Sequence, residues 1–190
     1  MNIDLNNFIT PDEDDASSKI FFTRLDEMLT DAETLFGERD KEYSIIGIEF
    51  HQDGPQTIFP EGHKLIAIQL SFRALDNDAI ACWQLAHETI HLLSPLGKQG
   101  ANILEEGLAT YFSRLYLQKK LGVGGQAPPG NYRQADELVT RLLLLNGNAV
   151  REMREHQPTI SHITPDIIKI VCPNFPDDLA EKLCQRFVHV

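Results

Sequence analysis

Residues 86–93 read AHETIHLL, and the two histidines in this stretch, His87 and His91, stand four apart with Glu88 directly after the first. The spacing constrains the fold because side chains four apart leave an α-helix on one face, about one turn from each other. The flanks agree with a helix. Ala79 to Leu93 is a run of good helix formers, Asp76, Asn77 and Asp78 offer N-caps, and Pro95 and Gly97 stop the run. A second long helix is predicted over Ala101 to Leu121, ended by Gly122, Gly124 and Gly125. The loop between them, Ser94 to Gly100, is short enough to make the two helices antiparallel or steeply crossed neighbours.

Around this pair the pattern predicts an α+β domain with a small mixed or antiparallel sheet. Ser17 to Phe36 carries Ile20, Phe21, Leu25, Met28, Leu29 and Leu35 at helical spacing, with Gly37 as its stop. Tyr43 to Phe50 reads as a strand closed by the Asp53-Gly54-Pro55 turn signal. Lys64 to Phe72 alternates as a second strand, and the segment between them is a loop or small hairpin. Beyond the Gly/Pro-rich stretch 122–130, helices are predicted over Arg133–Leu145, Ala149–His156, Pro165–Cys172 and Asp177–Val188. The organisation expected is one domain over 1–190, with an acidic arm at 1–15 and a helical C-terminal part at 131–190.

Charge removes one class of partner. The chain holds 28 acidic against 17 basic residues, a net charge of −11, and no Lys/Arg cluster offers a phosphate-binding face. No run of about 18 apolar residues occurs, and the first residues lack the charge and apolar core of a secretory signal, so a cytoplasmic protein without a membrane partner is expected. Cys82, Cys172 and Cys184 form no CxxC pair and are expected as free thiols.

The chemistry is carried by His87, Glu88 and His91. Two imidazoles on one face can hold a single metal ion, and Glu88, about 100° further round the helix, falls beside that ion rather than on it. There it can act as a general base toward water. A catalytic zinc takes three protein ligands and keeps one position open. The next helix opens ILEEGLATYFS, which offers Glu105 and Glu106 close to the end of the first.

HETIH followed by LEEGLATYF resembles the gluzincin branch of zinc metallopeptidases, over roughly Ala79 to Leu117. The resemblance implies a zincin-like fold and a Zn²⁺ cofactor held by His87, His91 and Glu106. It also implies Glu88 as the catalytic base of peptide-bond hydrolysis, with a peptide or protein as substrate. This chain is more compact than many such proteins, with fourteen residues between His91 and Glu106. The apolar stripe Leu104, Leu108, Tyr111, Phe112 and Leu115 lies closer in angle to Glu105 than to Glu106, which leaves Glu105 as the alternative third ligand; Glu106 is the ligand that the resemblance implies, with Glu105 supporting the site from behind.

Other roles stay open at the level of sequence. Tyr111, Tyr132, Arg133, His156 and His162 are candidates to stabilise an oxyanion. His51, His63 and His189 are expected to be solvated or structural, and Trp83 a packing residue. The resemblance also implies an edge strand beside the active helix for an extended substrate, a role that Lys64–Phe72 can take, equally an ordinary half-buried strand. The loop 122–130 is either a lid or a connector. The alternative function is a regulatory or binding protein on a peptidase-like scaffold, with one dedicated partner or no activity.

Overall fold

A computed structural model describes residues 16–60, 64–97 and 99–189. The expected acidic arm at 1–15 and His63 lie outside them. The architecture is α+β: helix α1 (Ala16–Phe36), strands β1 (Ser44–His51), β2 (Gln56–Ile58) and β3 (Leu65–Ser71), then helices only. These are α2 (Asp78–His91), α3 (Ile103–Tyr116, prolonged by a π-helical turn at Leu117–Leu121), α4 (Asn131–Leu145), α5 (Ala149–His156), α6 (Pro165–Val171) and α7 (Asp177–Leu183).

The core lies between α1, the inner face of the sheet and the α2–α3 pair. Leu25, Met28, Leu29, Ala32 and Phe36 from α1 are buried with Ile48, Ile66, Ile68 and Leu70 from the sheet and Leu85, Ile90, Leu104 and Phe112 from the central helices. Phe36 meets Phe112 edge to face, ring centroids 6.1 Å apart. Gly37 ends α1 at φ +96°, a left-handed conformation that favours glycine.

The strand order β1-β3-β2 corrects one expectation. β3 is the middle strand, parallel to β1 and antiparallel to β2, so it cannot serve as an edge for an incoming peptide. The physical reason is burial on both faces: Ile66, Ile68 and Leu70 fill the core side, while Ala67 and Gln69 are covered on the other. The edge beside the α2 helix is β2, three residues within the segment anticipated as a loop or hairpin. Gln69 ties the sheet together laterally, donating to Glu49 on β1 and accepting from Gln56 on β2.

Two further differences come from tertiary pairing. The last helix was expected to run to Val188, but it stops at Leu183, and the following residues form an extended strap. Gln185 O accepts from Ile103 N and Phe187 N donates to Ala101 O, so backbone pairing with the approach to α3 replaces the last helical turn. The 122–130 stretch stands away from the cleft described below, which none of its residues lines, and a Cβ on Gly125 would lie 2.8 Å from the Trp83 ring. All three cysteines are free thiols.

Arg154 fastens the two halves of the chain. It is buried without a carboxylate partner among the described residues, and its guanidinium donates to the carbonyls of Phe36, Gly37, Glu38, Leu93 and Pro158 at 2.6–3.1 Å. Those carbonyls belong to the ends of α1 and α2 and to the segment after α5.

Candidate metal centre

Asn77 caps α2, its side chain accepting from Ile80 N, and the helix then runs unbroken through His87, Glu88 and His91. Asn102 caps α3 in the same way through Glu105 N, which places both glutamates in the first turn of that helix. Gly107 follows for a steric reason. A Cβ there would lie 2.5 Å from Ala135 O and 2.7 Å from Val139 Cγ2, so its absence lets α4 cross α3 closely and brings the start of α4 over the site.

The crossing of α2 and α3 resolves which glutamate faces the histidines. Glu106 Oε2 stands 3.2 Å from His87 Nε2, and its Oε1 stands 3.8 Å from His91 Nε2. One ligand atom from each of His87, His91 and Glu106 lies within 4.8 Å of the others. Glu105 is one step behind: its Oε1 is 2.8 Å from His91 Nδ1. That contact fixes the ring so that Nε2 points at Glu106.

Glu105 has its own support, which sequence reasoning missed. Ser161 Oγ donates to Glu105 Oε2 and accepts from Asn102 N. No local signal marks Ser161, because it reaches α3 from a 3₁₀ turn (Ile160–His162) remote in sequence.

Electrostatics favour a cation here. Glu88, Glu105 and Glu106 are all buried, 3%, 1% and 5% exposed, around two imidazoles. Burial pushes the His91 imidazole down, but the Glu105 hydrogen bond and the charges of Glu106, Glu105 and Glu88 outweigh it and raise the group to about 10. Burial pushes the Glu106 carboxyl up, yet His87, with the charges of His91, His87 and His189, pulls it down to about 2.

The residues fit a metal ion. Glu106 Oε2 is buried and has no hydrogen-bond partner among the described residues, with His87 Nε2 3.2 Å away. A buried carboxylate oxygen left unpaired beside two imidazole nitrogens is what a shared cation satisfies. Two nitrogens and one carboxylate oxygen are also an appropriate donor set for a borderline-soft divalent ion.

The site opens into a cleft of about 320 Å³, within the range of small-molecule and peptide pockets. One wall is β2, where Thr57 Oγ1 donates to Glu88 Oε2 at 2.8 Å. The other wall holds Tyr132 and His189. Tyr132, the second residue of α4, sets its ring 5.9 Å from that of His87 and 4.8 Å from that of Phe187, and its hydroxyl is 3.0 Å from His189 Nδ1. Burial, then the charges of Glu106 and Glu88, push its phenol well above the usual range.

Of the five candidates for oxyanion stabilisation, Tyr132 alone lines the cleft. Tyr111 sits under Arg114 at 5.3 Å, Arg133 donates to Ala127 O, and His156 and His162 are not part of the cleft wall. His189, expected to be solvated or structural, is brought to the cleft by the strap, whereas His51 stays with Asp53 at the end of β1. In comparisons with protein families, curated proteins and solved structures, nothing matched this chain. No helix among the described residues is long and apolar enough to cross a membrane.

Proposed function

We propose that this protein is a zinc-dependent metallopeptidase, with His87, His91 and Glu106 as ligands and Glu88 as general base. The observation that carries the reading is the convergence of two Nε2 atoms from α2 on the Glu106 carboxylate from α3, at the floor of an open cleft with Glu88 beside them. The resemblance of HETIH and LEEGLATYF to the gluzincin motifs supports the same assignment.

Zinc bound there supplies Lewis acidity toward a peptide carbonyl and toward water. The chain's own groups do the rest. Glu88 accepts a proton from the attacking water as its oxygen bonds to the carbonyl carbon, and delivers that proton to the leaving amine nitrogen as the C–N bond breaks. Tyr132 faces the carbonyl oxygen across the cleft and donates to it as negative charge builds. A His189 Nδ1–H directed at the Tyr132 hydroxyl leaves the tyrosine's own hydrogen free for that task.

The test pairs metal analysis with the Glu88→Gln variant. Wild-type protein is expected to hold stoichiometric zinc and to cleave members of a diverse peptide library, with cut sites read by mass spectrometry. Glu88→Gln is expected to keep the zinc and lose the cleavage. Absence of stoichiometric zinc after purification and zinc loading overturns the proposal.

A further inference from the structure

We infer that Thr57 is the positioning residue of the general base, which makes the edge strand β2 a working part of the site; the inference rests on the metallopeptidase reading above. Thr57 Oγ1 donates to Glu88 Oε2 at 2.8 Å, and no other side chain among the described residues hydrogen-bonds that carboxylate. A helix fixes only the Cα of a glutamate, and three side-chain torsions stand between it and the oxygens. Thr57 supplies the second anchor, and it leaves Oε1 for the water.

The anchor itself is held firmly. Gln56, Thr57 and Ile58 pair antiparallel with Gln69, Ile68 and Ala67 of the central strand, and Gln56 Nε2 donates to Gln69 Oε1. Just before β2, Gly54 packs so tightly on β3 that a Cβ would lie 2.5 Å from the Leu70 carbonyl carbon. The Thr57 hydroxyl is therefore carried by a short strand tied to the middle of the sheet, against a carboxylate that is 3% exposed.

The test uses zinc-loaded wild type, Thr57→Val and Thr57→Ser with a peptide that wild type cleaves. Valine keeps the shape and β-branching and removes only the hydroxyl. We expect it to lower kcat about 10- to 100-fold, the weight of a hydrogen bond to a charged group, with KM changed less than about twofold. Serine, which keeps the hydroxyl, is expected to restore most of kcat.

A second measurement needs neither zinc nor turnover. The carboxylate stretch of Glu88, isolated as the infrared difference between wild type and Glu88→Gln in the metal-free protein, is expected to shift in the Thr57→Val background and not in Thr57→Ser. A Thr57→Val enzyme with unchanged kcat, or a loss that serine does not restore, overturns the inference, as does an unshifted carboxylate band. If zinc-loaded wild type cleaves nothing, the peptidase reading fails by itself, and the infrared band still decides whether Thr57 holds Glu88.

Discussion

Glu105 and Glu106 grip opposite edges of one imidazole: Glu105 Oε1 lies 2.8 Å from His91 Nδ1, while Glu106 Oε1 faces His91 Nε2 at 3.8 Å. Adjacent residues in one helical turn thus take different jobs, one toward the shared ligand position and one toward the ring that serves it. The two carboxylates should separate in a metal-affinity experiment. Glu106→Gln is expected to abolish stoichiometric zinc. Glu105→Gln should weaken zinc by about 10- to 100-fold, the usual effect of losing the partner of a ligating histidine, while saturating metal still fills the site. Competition against a chelator of known affinity checks both, and equal losses would disprove the division.

Tyr132→Phe removes one hydroxyl from the cleft wall and keeps the ring against His87 and Phe187. We expect kcat to fall about 100-fold, with zinc content and melting temperature close to wild type. Steady-state kinetics on the same peptide decide it. A variant with full kcat would leave the wall tyrosine without a role in the chemistry.

Gly107→Ala should act at a distance from the ligands. Its new Cβ meets backbone, Ala135 O at 2.5 Å, which cannot rotate aside as a flexible side chain would. Overpacking at this crossing is expected to cost about 1–3 kcal/mol in denaturant unfolding. It should also lower kcat by shifting Tyr132, which starts the same helix α4.

Arg154→Met tests the fastening of the two halves. The substitution keeps an apolar stem and removes the guanidinium that donates to five carbonyls, of which Leu93 O keeps the Asp40 amide. A loss of about 3 kcal/mol is expected, since the buried Phe36 carbonyl is left without this donor and the part-buried carbonyls of Gly37, Glu38 and Pro158 lose theirs. That corresponds to a melting temperature lower by roughly 6–12 °C for a chain of this size.

The metal-free protein should be squeezed from both ends of the pH scale. His91 is raised from 6.5 to about 10, so its contribution is complete below pH 6.5 and is lost as pH rises through 10. Glu106 is lowered from 4.5 to about 2, so its contribution is present above pH 4.5 and is lost as pH falls through 2. Thermal melts in chelator should decline across both windows. Zinc must displace the His91 proton, so zinc affinity should rise with pH between 6.5 and 10, with protons released on binding. A flat metal-free melting curve from pH 7 to 9 would contradict this.

The sequence by itself determined what acts over a turn or two of chain. Asn77, the helix formers after it and Pro95 are enough to make α2, and the four-residue step then puts His87 and His91 on one face. The same local physics defined α5, whose bounds, Ala149–His156, are those expected from its pattern. EEGLA announced a carboxylate near that face without saying which one, because both residues of the pair are buried and an apolar stripe cannot rank neighbours on a helix covered on several sides.

Only the tertiary structure decided the rest. The crossing of α2 and α3 turns Glu106 toward the histidines, and Ser161 holds Glu105 behind it from 56 positions away; neither relationship leaves a local pattern. The same holds for the sheet. Alternation in Leu65–Ser71 marks a strand, but whether it lies at the edge or in the middle depends on β2, a three-residue strand too short to declare itself. His189 and Thr57 reach the cleft because of backbone pairing between distant segments, the strap against the approach to α3 and β2 against β3. Local propensity makes the helix that carries the histidines, and long-range packing selects the groups that meet them.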